Sequence, residues 1–180
     1  YTDVSEISVS RYLRRFKLNH PDKNKQQYWK TFLENHRDYI SAMDFFTVPT
    51  VNFNILYVFF IIDHSSRKLI HFNVTSHPYA KWVMQQMRDA FPYDRAPKYL
   101  IMDRDSIFSE DLKTFLKEKL GVTPKVTSYR SPWQNGIAER FILSVRSELT
   151  NNVIIFNENH LRRLLQEYVE YYNHDRCHLS

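Results

Sequence analysis

Ile40-Ser41-Ala42-Met43-Asp44-Phe45-Phe46-Thr47-Val48 is followed by Ile55-Leu56-Tyr57-Val58-Phe59-Phe60-Ile61-Ile62-Asp63, and then by Lys68-Leu69-Ile70-His71-Phe72-Asn73-Val74-Thr75. These runs are rich in β-branched and aromatic residues, and in the third Leu69, His71 and Asn73 alternate with Ile70, Phe72 and Val74, so each is predicted to be a strand. The link Asp63-His64-Ser65-Ser66-Arg67 is short and polar, as a hairpin connection should be. Three antiparallel strands in a meander are expected. Within the first of them, Asp44 stands between Met43 and Phe45, where an ionised group is out of place unless a cation or partner meets it.

Downstream the period changes. A helix is predicted around Tyr79 to Phe91, closed by Pro92, and then an apolar strand Tyr99 to Met102 that ends in Asp103. A second helix, about Glu110 to Leu120, stops at Gly121, a natural left-handed cap. A short strand near Val122 to Thr127 follows, then a helix from about Gly136 to Leu149. The last helix carries Leu161, Leu164, Leu165, Tyr168, Val169 and Tyr172 on one face. The sequence has only 2 glycines, so each is expected to mark a backbone requirement. Three antiparallel strands followed by alternating helix and strand imply an α/β fold with a five-stranded mixed sheet flanked by helices.

Upstream, residues 1–37 read as a basic helical extension or linker, with Arg11, Arg14, Arg15 and Lys17 ahead of the breaker-rich His20-Pro21-Asp22-Lys23-Asn24. Trp29, Phe32 and Leu33 share a helical face that would dock on the main domain, 38–180; the tail of a DNA-binding helical module is the alternative. Opening on Tyr1 rather than methionine, the chain is expected to be a fragment.

At 180 residues, with 43% hydrophobic and 16% aromatic content, the chain can bury one substantial core. Its 25 Lys and Arg against 20 Asp and Glu give +5, an excess that suits a polyanion without demanding one. A single cysteine, Cys177, excludes an internal disulfide and a zinc site built on paired cysteines, and points to a reducing compartment. The longest apolar run, Ile55 to Ile62, is far short of the roughly 20 residues a membrane helix needs, so no membrane partner is expected.

Asp103 lies where ligands gather in such sheets, beyond the carboxyl end of a strand, and Glu139 opens a helix just after the loop from Ser128 to Gly136. With Asp44 they can reach one sheet edge and offer the hard oxygen ligands that magnesium takes. Other acids have other readings. Asp105 shares a strand face with Asp103 but falls past the strand end. Glu148, nine positions after Glu139, faces the opposite side of the helix as a solvated acid, and Asp63 caps its turn. No histidine pair has zinc-protease spacing, and Trp133 fits either the site loop or the core. Arg146, seven residues after Glu139, is nearly in line with it and would meet DNA phosphate or pair with a neighbouring acid.

Between Asp103 and Glu139 lie 35 residues, and this spacing resembles the Asp, Asp, 35-residue, Glu signature of retroviral-type integrase cores and bacterial insertion-sequence transposases. Ser131-Pro132-Trp133-Gln134-Asn135-Gly136-Ile137-Ala138-Glu139-Arg140 is similar to that family's Ser-Pro, Asn-Gly, Glu-Arg segment. Ile62-Asp63 with Ser66-Arg67-Lys68 resembles its second-strand hairpin, and Tyr172-Asn173 with Arg176 and His178 its closing element. The likeness covers about residues 38 to 178. Two positions depart from it: Arg104 follows the second acid where Asn-Gly is common, and Cys177 stands where proline is frequent.

The resemblance implies a ribonuclease-H-like catalytic core over 38–180. It implies two Mg²⁺ ions, with Mn²⁺ as a substitute, held by Asp44, Asp103 and Glu139, and a reaction that joins DNA ends to a target by attack of a 3′ hydroxyl. It supports Arg146 as a DNA contact and a flexible loop at Asn135-Gly136; Asn135, Arg140 and Arg130 complete the expected DNA contacts. The partners implied are element ends, target DNA and further copies of the chain, at the nucleoid in the cytoplasm or in a eukaryotic nucleus. Two alternatives stay open: an inactive or domesticated DNA-binding relative, and a ribonuclease-H-like nuclease that only hydrolyses, since water and a 3′ hydroxyl can use the same metals.

Overall fold

The structure, a computed structural model, describes residues 23–92, 96–129 and 131–176. Helix α1 (Lys23–His36) leads through a 3-10 turn (Arg37–Tyr39) into β1 (Ile40–Pro49), β2 (Ile55–Asp63) and β3 (Leu69–Thr75). Then come α2 (Ala80–Ala90), β4 (Tyr99–Met102), α3 (Glu110–Leu120), β5 (Thr123–Val126), a 3-10 turn (Pro132–Asn135), α4 (Gly136–Val145), a π turn (Arg146–Thr150) and α5 (Glu158–His174). The sheet order is β3-β2-β1-β4-β5, with β1 antiparallel to β2 and parallel to β4. The expected meander and mixed five-stranded sheet are both present, with strand ends within a residue or so of the sequence reading.

Strand alternation divides the apolar side chains between two layers. Ile40, Ala42, Phe46 and Val48 of β1 join Phe60 and Ile62 of β2 beneath Ala138, Phe141 and Val145 of α4 and Leu161 and Leu165 of α5. Met43, Phe59 and Ile61 face the other way, onto Val83 and Met87 of α2 and Leu112 and Leu116 of α3. Helix α5 is tied to the edge strand β3. Asn173 accepts from the Leu69 N–H at 2.8 Å and donates to the Leu69 carbonyl at 3.1 Å, while Arg162 reaches Asn73 and the Val74 carbonyl. The other edge, β5, is short and carries Pro124 and Lys125, which discourage pairing with a further strand.

Trp29, Phe32 and Leu33 of α1 pack against the α4-side core, as their spacing predicts. Phe32 meets Tyr99 edge-on at 5.2 Å, and Lys125 lies over both rings. The basic residues Arg11, Arg14, Arg15 and Lys17 lie outside the described residues, as do Arg130, Cys177 and His178.

Two expectations change. The helix predicted to run to Leu149 leaves α geometry after Val145. The Ser147 hydroxyl donates back to the carbonyls of Leu143 (2.9 Å) and Ser144 (3.2 Å), a competition that bends helices, and the Asn152 amide takes the Ser147 carbonyl at 2.7 Å. The two glycines also differ. Gly121 has φ +64 and caps α3 in the left-handed region, whereas Gly136 is right-handed (φ -57, ψ -27) and a Cβ there would meet nothing within 4 Å.

Gly121→Ala is therefore expected to cost about 1–2 kcal/mol in chemical denaturation, the penalty of a side chain in left-handed geometry. Gly136→Ala should be neutral or stabilising by up to about 1 kcal/mol. A loss at Gly136 equal to that at Gly121 would show that its backbone freedom is needed after all.

Candidate active site

β1 is the central strand, and Asp44 takes the position between Ala42 and Phe46 on its α4-facing side, opposite Phe60 of β2. A carboxylate there interrupts an apolar stripe. The strand itself offers one compensation, the Phe45 N–H, which donates to Asp44 Oδ1 at 2.8 Å. β4 pairs in parallel with β1 as Ala42↔Ile101, so the register carried two residues further sets Asp103 abreast of Asp44, neighbouring strands being about 4.8 Å apart. Asp103 Oδ1 accepts from the Asp105 N–H at 2.9 Å, and Asp105 Oδ1 from the Ile107 N–H at 2.9 Å. These successive turns bend the chain away from the sheet. Asp105 is thus an exposed turn former past the strand end.

Glu139 arrives from the opposite side, in the first turn of α4. The 128–135 loop that delivers it is pinned by Gln134, whose buried side-chain oxygen accepts from the Ser128 N–H and whose carbonyl accepts from Trp29 Nε1 of α1 at 3.2 Å. The next residue, Asn135, is only 5% exposed. Its amide donates to the Met43 carbonyl and to Asp44 Oδ2, both long bonds at 3.5 Å, while its Oδ1 is buried with no partner. Asn135 thus sits beneath Asp44 at the pocket, because the loop folds inward onto β1.

Asp44, Asp103 and Glu139 line one open pocket of about 250 Å³, together with Arg104, Ser128, Tyr129 and Asn135. Burial raises the Asp44 carboxyl to about 7; repulsion from Asp103, Glu139 and Asp105 adds to this, and the Phe45 hydrogen bond opposes it. The Asp103 carboxyl is also raised, first by burial and then by the Asp105 charge, against the Asp105 N–H bond. Among the described residues no three acid, imidazole or thiol side chains close tightly enough to cage an ion by themselves. The donor set nevertheless fits a hard cation that keeps part of its water shell: hard oxygens from separate elements, two of them held toward the neutral form.

Arg146 lies on the same helical stripe but lines the neighbouring pocket rather than the acid one. It is exposed and has no ion-pair partner among the described residues, so the expected alternative of a structural ion pair is not formed. Arg140 is exposed and is not among the residues lining the acid pocket. Asp63 accepts from the backbone and hydroxyl of Ser66, both at 2.7 Å, as a turn cap should. Glu148 is exposed, as expected of a surface acid, but is not free: it pairs with Arg176 at 2.7 Å and accepts from the Tyr168 hydroxyl at 2.9 Å, bolting the π turn to the end of α5. Trp133 is half-buried, and its Nε1 is buried with no partner.

Sequence reasoning passed over Arg104 and Tyr129 as site residues. Arg104 Nε donates to the Thr127 carbonyl at 2.9 Å, tying the ends of β4 and β5 together at the pocket wall. Tyr129 is 65% exposed at the pocket rim. The available signal was position alone: one residue follows the second acid, and the other is one of two aromatics, with Trp133, in the loop before Glu139.

Comparison with known proteins bears on the fold. A model of the integrase core domain matches residues 120–180, the part holding β5, the site loop, Glu139 and α5. Among solved structures, the chain is similar to one from the intasome of simian T-cell lymphotropic virus in complex with the PP2A regulatory subunit B56 gamma. The TM-score is 0.64 at 12% identity, over 79% of this chain and 50% of that one. It is similar also to the catalytic core domain of BIV integrase, with TM-score 0.58, 14% identity, and 79% and 88% of the two chains covered. The chain spans about half the length of the first of these. No curated protein sequence matches it. The fold is accordingly the ribonuclease-H-like fold of integrase cores, and the resemblance read from the motifs is shown.

A pH dependence follows from Asp44. Folded, its carboxyl keeps a proton up to about pH 7; unfolded, it releases it near the ordinary 3.8. Between those values the folded state binds more protons, so stability must fall as pH rises through the window. Melting curves in a chelator should show that decline, and Asp44→Asn should flatten it and melt higher than wild type above the window. A variant that melts lower at every pH would instead make Asp44 a structural acid.

Proposed function

We propose that the chain is the catalytic core of a DNA transposase or integrase, a polynucleotidyl transferase in which Asp44, Asp103 and Glu139 hold Mg²⁺, or Mn²⁺ in its place. The observation that supports this best is the meeting of those three carboxylates in one pocket of an integrase-type fold. Two divalent ions bound there would activate the attacking oxygen and stabilise the leaving one. In the reaction a DNA 3′ hydroxyl forms a new ester bond to phosphorus and gives its proton to solvent, while the old phosphorus–oxygen bond breaks and the departing DNA oxygen takes a proton from solvent to become a hydroxyl.

The chain's own residues supply position and charge. The Phe45 N–H and the Asn135 amide fix the two oxygens of Asp44. The Asp105 N–H fixes one oxygen of Asp103. Arg104 stiffens the pocket wall through Thr127. Such fixed ligands lose little freedom when ions and DNA arrive. Carboxylates alone repel a phosphodiester, and Arg146, further along the Glu139 stripe and unpaired, offsets that repulsion for the strand leading away from them. The same reading makes element ends and target DNA the substrates, further copies of the chain the partner, and the nucleoid or a eukaryotic nucleus the place of action.

Asp44→Asn, Asp103→Asn and Glu139→Gln are each expected to abolish Mg²⁺-dependent cleavage and joining of labelled DNA while leaving the fold intact. Joining retained by any one variant would remove that residue from the site.

Arg146→Ala should weaken DNA binding alike across sequences and lower the slope of log affinity against log salt by about 1, the signature of one lost phosphate contact. Its melting temperature should match wild type, because no side chain among the described residues pairs with Arg146. An unchanged slope would move the DNA path elsewhere.

A further inference from the structure

A second pocket of about 500 Å³ opens beyond the acids, between the end of β1 and the π turn that follows α4. Its walls combine apolar side chains with polar groups and open to solvent. Ile154 is 67% exposed and Val51 47%, and the two segments are held together by the Val51 N–H donating to the Ile155 carbonyl at 2.8 Å. At its edges stand Thr47, Thr150 and Asn151, whose side chains make no hydrogen bond among the described residues. Arg146 closes one end, and no acidic residue lines the pocket.

This combination is selective. A free phosphate or metabolite anion would use the guanidinium but has no need of apolar walls. A purely apolar ligand would leave the free hydroxyls, amide and cation unsatisfied. A nucleobase has apolar faces, hydrogen-bonding edges and an attached anionic backbone, and uses all three features at once.

The pocket's place relative to the acids fits the same ligand. Glu139, Leu143 and Arg146 fall at i, i+4 and i+7 of one stripe, and Leu143 between the two charges is 58% exposed. From Glu139 to Arg146 the helix rises about 10 Å, two or three nucleotide steps of a stacked strand.

We propose that this second pocket holds an unstacked nucleobase of the DNA strand, two or three nucleotides from the reacting phosphate, with Arg146 on the adjoining phosphodiester. The assignment rests on the DNA reading above and specifies which part of the substrate the neighbouring surface takes. Asn151 reads the base edge, and Ile154 and Val51 cover its faces.

The test uses the whole chain and two single strands of equal length, an oligothymidylate and its abasic counterpart, with affinity measured by fluorescence anisotropy at several salt concentrations. Wild type should prefer the base-bearing strand by about five- to tenfold, the order of one base packed on protein. Ile154→Ser should remove most of that preference while leaving the abasic affinity and the salt slope unchanged. Val51→Ser, on the facing wall, should do the same, and both should melt as wild type does because the side chains are exposed. Arg146→Ala should weaken both strands equally. If wild type binds both strands alike, or if both serine variants weaken both strands equally, the pocket assignment falls while the DNA reading stands. Wild type that binds neither strand overturns both.

Discussion

The structure turns on one carboxylate in the wrong solvent. β1 is hydrogen-bonded on both sides and buried on both faces, the least favourable place in the sheet for an ionisable side chain, yet Asp44 sits in its middle. The surroundings concede what they can. The Phe45 and Asn135 nitrogens face its oxygens, and α4 begins beside it with its N-terminal dipole end toward the acids. Those concessions fall short of its desolvation, and the carboxyl is left protonated well above the normal range. Among the described residues no Lys or Arg side chain pairs with Asp44, and the strain this leaves on the carboxyl is what a bound cation would relieve.

Asn135 can hold its place only because the loop before it is fixed from outside the sheet. Trp29 of α1 donates to the Gln134 carbonyl, and the Gln134 side chain holds Ser128 across the loop, so one buried glutamine links the first helix to the residue beneath Asp44. α1 is therefore more than a packing element. It presses on β4 through Phe32 and Tyr99 and on the loop through Trp29, so motion of this helix would be felt at the pocket wall.

What was legible in the sequence was whatever depends on near neighbours along the chain. Two-residue alternation gave the strands, the polar 63–67 link gave the hairpin, and Gly121 gave the helix stop. Asp44 was conspicuous because it breaks an apolar run, and Asp103 because it ends one. The details that escaped are set by distant partners. Glu148 read as a surface acid because Arg176, which neutralises it, lies 28 residues away in sequence. Asn135-Gly136 read as a flexible loop because an Asn-Gly pair ahead of a helix signals a mobile turn, and only the meeting of Asn135 with Met43 and Asp44, more than 90 residues back, buries it. The end of α4 was missed because serine back-bonding competes with helix geometry too locally to alter the apolar period, which runs on to Leu149.

These unforeseen contacts shape the field along α4. Of the acids on this helix and the π turn after it, Glu139 stays in the site, whereas Glu148 is drawn off toward α5, paired with Arg176 and hydrogen-bonded by Tyr168, whose own hydroxyl proton is held more tightly by burial and then by this bond. With that charge drawn off, Arg146 has no carboxylate partner among the described residues. The stripe then runs from negative at Glu139, through the exposed Leu143, to positive at Arg146, each within about one helical turn of the next. A polyanion cannot settle on the acids without cations, but it can be held beyond them at once. The ion pair that fastens α5 to the π turn thus also keeps the neighbouring arginine open to a ligand, so the same contact serves stability and the charge pattern of the site.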